Sequence, residues 1–186
     1  MRAQLDPVLL TPAETLSKMQ HLVAQLMRFE ELIERDAPLA RVLPGLHEAH
    51  GTRYEGYTIR GLAQEMHDFF KERDVKQLQK TIFREVHFPR VACAPQLTNE
   101  SFIRGDVDFV PLRDIAGRVA VGGALPYPPG ILCVVPGEVW GHERRDYFLV
   151  LEDAVNLLPG FAPELQGVHL IEESGQIQAY GYVLSG

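Results

Sequence analysis

Apolar residues in the first half of the chain recur every three to four positions, which is the period of a helix with one buried side. The first such run begins at Thr11-Pro12-Ala13-Glu14, where a capping box coincides with proline at the first helical position. The run is expected to end at Asp36-Ala37-Pro38, because the residue before a proline avoids the helical conformation. The predicted apolar face consists of Leu16, Met19, Val23, Leu26 and Ile33, flanked by Leu22, Phe29 and Leu32.

Two further helices are predicted in the same half of the chain. One starts near Thr58, and the other restarts at Asp74 and ends at Phe88-Pro89. N-terminal helices are therefore expected over about 12–87, within a helical part assigned to residues 11–88.

Strand-like patterns follow in residues 89–186. Val107 and Phe109 alternate with aspartates, which indicates a half-buried strand, and Pro111 should end it. The apolar run 131–135 lies between Pro-Gly turn signals and is typical of a central strand. Segments 168–171 and 177–183 are predicted to form a closing hairpin.

One helix is expected inside this β-rich part, over about 143–158. Its apolar residues are spaced by three, four and three positions, and Pro159-Gly160 should stop it. The predicted fold class is α+β, with N-terminal helices followed by a mixed or antiparallel sheet and this single inserted helix.

Composition narrows the class of protein. The chain has 186 residues, of which 46% are hydrophobic, and a formal net charge of −7, so it should form one compact soluble domain or two small ones. No apolar run is long enough for a membrane span, and the acidic balance argues against nucleic-acid binding. Cys93 and Cys133 are expected to be reduced thiols, which favours a cytoplasmic location.

Candidate catalytic groups are few. His47-Glu48-Ala49-His50 would place two imidazoles one helical turn apart, as metal ligands require, but a connector is the favoured interpretation. Glu65, His67 and Asp68 form a surface polar cluster or an acid–base site. Arg144-Arg145 is interpreted as a solvated helix start, with an anion site as the alternative. Without a phosphate loop or nucleophile elbow, we assign no catalytic, cofactor-binding or metal residues.

A proline-rich loop is the most unusual local feature. Pro126, Pro128 and Pro129 lack N–H donors, so residues 122–130 cannot form a helix or a central strand, and Tyr127 is held rigidly. The loop is either a structural corner or a wall presented to a cleft or partner subunit. The following Pro136-Gly137 turn fixes Glu138 beside Trp140, the only tryptophan.

Residues 123–141 closely resemble the C-terminal region of bacterial ornithine decarboxylases, which belong to the pyridoxal-phosphate-dependent ornithine/lysine/arginine decarboxylase family. The resemblance extends from about Val8 to the end, so residues 1–10 are assigned as a leader outside the family and 11–186 as the family's C-terminal domain. Further matching runs are 9–12, 36–40, 64–68, 75–80, 103–107 and 156–167.

The resemblance implies a large dimeric lyase that converts ornithine to putrescine and carbon dioxide in polyamine biosynthesis. In that family the cofactor lysine follows a histidine, and none of this chain's lysines does. We therefore expect no bound cofactor and no catalysis by this chain alone, and a catalytic core or homodimer partner as its partner. The candidate channel or interface residues are Pro126, Tyr127, Pro128, Pro129, Glu138 and Trp140.

Two alternatives remain open. A stand-alone, non-enzymatic partner could bind a full-length decarboxylase and modulate it, and the charged stretch 142–146 is the sequence hint, because the family is expected to have small apolar residues there. A small-molecule site beside Tyr127 and Trp140 is the weaker alternative. If the domain docks on a core, apolar surface should be exposed when it is isolated.

Overall fold

The computed structural model of the protein describes residues 14–127 and 130–186. Within it the chain divides into two compact units, residues 1–63 and 64–186. The predicted leader at 1–10, the capping residue Thr11, and Pro128 and Pro129 lie outside the described residues. No helix among the described residues is long and apolar enough to cross a membrane.

The N-terminal unit is helical. Its helices are α1 (Leu16–Glu34), α2 (Leu39–Val42), α3 (Pro44–Tyr54) and the first turn of α4 (Ile59–Glu72). Helix α1 begins two residues after Glu14, because the Thr15 side chain accepts a hydrogen bond from the Lys18 N–H at 3.3 Å. The predicted end of this helix is confirmed at Glu34.

A small core joins the elements of this unit. Pro38 and Thr58 form an antiparallel bridge, and the Leu39 N–H donates to the Tyr57 carbonyl at 2.8 Å. The Arg60 guanidinium covers the end of α1, donating to the carbonyls of Ile33 and Glu34 at 2.7 and 2.8 Å. The buried apolar side chains of the unit are Ala37, Leu39, Tyr54, Ile59 and Leu62.

The sequence favours a connector over residues 44–51, and that expectation is wrong, because these residues belong to α3. Pro44 occupies the first turn of α3, where its missing N–H costs nothing. Gly45 and Gly51 obscured the helical signal in the sequence. The helix is kinked at His50, whose φ and ψ are −134° and 32°.

The C-terminal unit continues from Gln64 with the rest of α4 and combines helices with two small sheets. The helices are α5 (Val75–Ile82), α6 (Pro95–Arg104) and α7 (His142–Leu157). The strands are β1 (Val107–Pro111), β2 (Leu125–Tyr127), β3 (Glu164–Gln166), β4 (His169–Glu173) and β5 (Gln176–Leu184). The α+β class is therefore confirmed.

Strand β5 is the centre of the larger sheet, which has the antiparallel order β1-β5-β4. In register, Val107 lies opposite Leu184, and His169 lies opposite Tyr180. Strand β1 ends at Pro111 as predicted, so residues 176–179 of β5 have no β1 neighbour.

Helix α7 covers that open edge with two side chains. Asn156 accepts from the Ile177 N–H at 2.8 Å and donates to the Ile177 carbonyl at 2.7 Å. The Glu152 carboxylate accepts from the Ala179 N–H at 2.5 Å. The polar groups of the strand edge are therefore satisfied without a further strand.

Two predictions for this half need revision. Residues 131–135 do not form a central strand, because only Val134 makes a bridge, to Ala124, and the chain otherwise turns. Helix α6 was missed, because its apolar residues are largely exposed and give no inward-facing period. Pro95 at its start and Gly105 in the left-handed conformation at its end are the signals that could have found it.

Gly167 is required for the approach of two backbone segments. We expect Gly167→Ala to lower the free energy of unfolding by at least about 3 kcal/mol, because a Cβ would lie 1.9 Å from the Gly123 carbonyl oxygen and φ is +73°. Gly175→Ala is the matched control: its φ is +79° but its surroundings are open, so we expect a cost of about 1 kcal/mol. Urea denaturation measures both, and equal losses would contradict the steric argument.

Candidate functional site

The proline-rich loop is built on a two-stranded ribbon. Strand β2 pairs antiparallel with β3, and Pro126 lies opposite Leu165. Prolines are tolerated there because so short a ribbon has unpaired edges. Pro126 is buried, whereas Tyr127 is 52% exposed and lies over Gly130, where a Cβ would come within 2.9 Å of its ring.

Trp140 is buried in the unit, and Glu138 is half-buried. The Glu138 carboxylate accepts from the Val135 N–H at 2.8 Å and so closes its own turn. Trp140 is 2% exposed and packs edge-on against Phe148, with ring centroids 5.7 Å apart. Of the described candidate residues at the loop, Tyr127 is therefore the one with a large exposed surface.

Arg144 is a buried structural group. The expectation of a solvated helix start is wrong for this residue, which is 2% exposed and donates to the carbonyls of Ile82 at 2.7 Å, of Cys133 at 2.5 Å and of His87. Burial lowers the pKa of its guanidinium, and the Glu138 carboxylate acts in the opposite direction. Because its donors are directed at these carbonyls, the alternative of an anion site is not supported here.

A second polar contact reinforces the same corner. The Glu143 carboxylate lies 3.1 Å from His87 Nδ1 at the start of α7. A hydrogen bond from its own backbone N–H, together with the charge of His87, lowers the pKa of Glu143 below its ordinary value of 4.5. Arg145 pairs with Asp146 at 2.6 Å. Charges of the 142–146 stretch are thus engaged within the unit.

Exposed apolar side chains lie on the stretches of chain whose carbonyls Arg144 binds. Because the guanidinium contacts carbonyls in the stretch 82–87 and at Cys133, it holds together two stretches that carry large apolar residues one or two positions from those carbonyls. Their side chains are 45% to 85% exposed. The apolar patch consists of Phe83, Val86, Phe88, Ile131 and Leu132. Surfaces of this kind mark sites of association.

The other candidate groups do not come together into a site. His47 and His50 lie on α3, and among the described residues no cluster of three or more His, Cys, Asp or Glu side chains is arranged to hold a metal ion. His67 and Asp68 are exposed on α4, and Asp68 accepts from Gln64 at 2.8 Å.

The small-molecule cleft expected beside Tyr127 and Trp140 is not supported, since Trp140 is buried. A surface pocket of about 470 Å³ lies elsewhere, beside α7 and β5. Its charged lining is already paired: Arg73 binds Asp153, and Arg113 donates to Gln178 at 2.6 Å.

Comparison with known proteins identifies the family. The Orn/Lys/Arg decarboxylase C-terminal domain matches residues 76–185, which is more than half of the chain. The chain therefore belongs to the Orn/Lys/Arg decarboxylase family and represents its C-terminal domain.

The relatives include ornithine decarboxylases. The chain is 58% identical to the inducible ornithine decarboxylase of Escherichia coli K12 over 176 residues, which cover 95% of this chain and 24% of that enzyme. It is 56% identical to the ornithine decarboxylase of Haemophilus influenzae, over 95% of this chain and 25% of the relative. The solved structure of lysine decarboxylase A from Pseudomonas aeruginosa superposes with a TM-score of 0.83 at 29% identity, over 93% of this chain and 23% of that one. The chain thus spans about a quarter of the length of the relatives that it matches.

The family uses pyridoxal phosphate, and the residues described here do not fit that cofactor. A Schiff base requires a lysine amine in a protected site. Lys18, Lys71, Lys76 and Lys80 are all exposed on helices, and Lys18 pairs with Glu14 at 3.3 Å. No step through the cofactor is therefore assigned to this chain.

Removal of the Arg144 guanidinium should destabilise the C-terminal unit. We expect Arg144→Met to lower the free energy of unfolding by at least about 3 kcal/mol, because three buried carbonyls lose a charged donor. The free energy of unfolding of Arg144→Lys should lie between those of the unsubstituted protein and Arg144→Met. Arg145→Met, which breaks only the half-exposed pair with Asp146, should cost less than about 1 kcal/mol. Equal effects at positions 144 and 145 in guanidinium denaturation would contradict the assignment.

The contact of Glu143 with His87 should affect how the free energy of unfolding depends on pH in the acid range. Its pKa is lower in the folded state than its ordinary value of 4.5, so its contribution is present above that pH and is lost as pH falls through the folded pKa. We expect Glu143→Gln to reduce stability near neutral pH and to flatten the loss of stability below pH 4.5. Thermal unfolding across this range measures the difference, and parallel curves for both proteins would refute it.

Proposed function

We propose that this chain is the C-terminal domain of an ornithine decarboxylase-like lyase, and that it braces the substrate channel and the dimer without catalysing the reaction itself. The observation that carries the proposal is an exposed apolar patch on a rigid frame, in a chain about a quarter as long as its relatives. Exposure of apolar surface to water is unfavourable, and its burial by a partner lowers the free energy.

Ornithine is the proposed substrate of the complete enzyme. Identity to the E. coli ornithine decarboxylase is 58%, against 31% to the Pseudomonas lysine decarboxylase over 164 residues. The proposed reaction is conversion of L-ornithine to putrescine and carbon dioxide in polyamine biosynthesis, in the cytoplasm.

The catalytic part, and not this chain, would hold pyridoxal phosphate. Pyridoxal phosphate would supply an electron sink for decarboxylation there. The four exposed lysines of this chain support that division of roles.

Tyr127 and the apolar patch are the proposed contacts with the catalytic core. Tyr127 is held by the ribbon and by Gly130, so little side-chain freedom is lost on docking. Glu138 and Trp140 would not contact the core directly, but would hold the loop in position. Pro126 would anchor the ribbon. Pro128 and Pro129 remain candidates from the sequence alone.

A chimera tests the function. The matching C-terminal quarter of the E. coli inducible ornithine decarboxylase is exchanged for this chain, and carbon dioxide release from labelled ornithine is measured. We expect activity in the chimera, none in the isolated chain, and loss of activity in the parent enzyme without its last quarter. Turnover by the isolated chain would refute the proposal, as would a folded, cofactor-loaded chimera no more active than the truncated parent.

The same assay separates the alternative function. The isolated chain is added to the intact E. coli enzyme, and rate and sedimentation are followed. The proposal expects no change, since the docking site of an intact enzyme is occupied by its own C-terminal domain. A saturable change in rate together with co-sedimentation would favour a stand-alone modulator.

The apolar patch can be tested with matched variants of the chimera. Val86 is 85% exposed, so Val86→Asp should not unfold the isolated chain. We expect it to lower activity of the chimera at least tenfold, because docking would then bury an unpaired charge. Ile103→Asp, at a site 76% exposed outside the patch, should leave activity within twofold. Equal activities of the two variants would remove the patch from the proposed interface.

A further inference from the structure

Helix α1 has one apolar side and one polar side along its whole length. At about 100° per residue, its apolar side chains fall within an arc of roughly 160°. These side chains are Leu16, Met19, Leu22, Val23, Leu26, Met27, Phe29 and Ile33. The opposite side carries polar or small residues, among them Ser17, His21, Gln25 and Arg28, with Leu32 as its one large apolar residue.

This apolar side is open to solvent. Within the described part of the chain, no side chain of α1 is buried, and Leu16, Leu26 and Met27 are 74%, 57% and 61% exposed. The helix is nevertheless well anchored, since Thr15 caps its start and Arg60 covers its end. A helix of 19 residues is held in place while the described residues leave most of its apolar side exposed.

Two acidic residues, Glu30 and Glu34, lie inside the apolar arc, and Glu30 is the one with apolar residues on all sides. Glu30 is one turn from Leu26, Met27 and Ile33, which surround it on the helix surface. Its carboxylate makes no ion pair or hydrogen bond with any other described residue. A surface that covers this side must therefore offer a cation opposite Glu30, because burial of an unpaired carboxylate is costly.

Charge argues against two other occupants. Lys18 and Arg28 are outnumbered by three glutamates on α1, whereas helices that lie on anionic membranes are rich in Lys and Arg. A second copy of α1 would bring Glu30 against an apolar or equally acidic surface.

We propose that α1 docks its apolar side into an apolar groove with a basic side chain opposite Glu30, on the catalytic part that precedes the C-terminal domain in the relatives. This inference rests on the proposed function. Helix α1 lies before residues 76–185, which match the family's C-terminal domain, while the alignment with the E. coli enzyme covers 95% of the chain and so reaches into α1. In the aligned relatives, the stretch that corresponds to α1 is therefore the described helix closest in sequence to the part that precedes the alignment.

Hydrogen exchange in the chimera tests this docking. Amide exchange of α1 is measured by mass spectrometry in the isolated chain and in the chimera described above. We expect exchange to slow at least tenfold in the chimera. Leu26→Glu should abolish that protection, whereas Gln25→Glu, one residue away on the polar side, should retain it. Both substitutions exchange good helix formers, so neither should unwind the helix.

Glu30 gives an independent readout. In the chimera, Glu30→Lys should remove the protection of α1 because two cations would face each other, while Glu30→Gln should retain most of it. Equal protection in both variants would overturn the proposed basic partner.

The outcomes separate this inference from the function. An active chimera whose α1 exchanges as fast as in the isolated chain overturns the inference and leaves the function standing. An inactive, cofactor-loaded chimera with protected α1 overturns the function alone. Dimers of the isolated chain that Leu26→Glu dissociates, or binding to vesicles of anionic lipid, would assign the helix to another occupant and overturn the inference.

Discussion

The buried guanidinium of Arg144 is the interaction on which the C-terminal unit depends. A fixed positive charge with 2% exposure requires acceptors, and it finds them in the carbonyls of Ile82, His87 and Cys133. Two stretches of chain, 82–87 and the loop at Cys133, are thereby held together by one side chain. The carbonyls must keep a fixed geometry around the guanidinium, and the residues of the apolar patch lie on the stretches that this geometry fixes.

Both edges of strand β5 are paired, although the neighbouring strands are short. One edge is covered first by β4 and then by the bridge at Ala120, and the other by β1 and then by Glu152 and Asn156. Side chains and isolated bridges continue the sheet where strands stop. Ala179 and Val183 on its inner side are fully buried, and Gly181 leaves room for Ile115.

Much of this architecture could be predicted from the sequence, because period and turn chemistry act locally. The β4–β5 hairpin follows from Ser174-Gly175, both of which have positive φ, and the end of β1 follows from Pro111. The prediction of a central strand over residues 131–135 was wrong, because Ile131 and Leu132 are exposed rather than buried in a sheet. Arg144 could not be foreseen, since its acceptors are backbone carbonyls that any sequence supplies.

The distant origin of those acceptors has a consequence for biosynthesis. Ile82 and Arg144 are 62 positions apart, so the corner cannot close until the ribosome has released the beginning of α7. Until then Phe83, Val86 and Phe88 belong to an unfinished surface. Association through the finished surface would consequently have to wait until α7 has been synthesised.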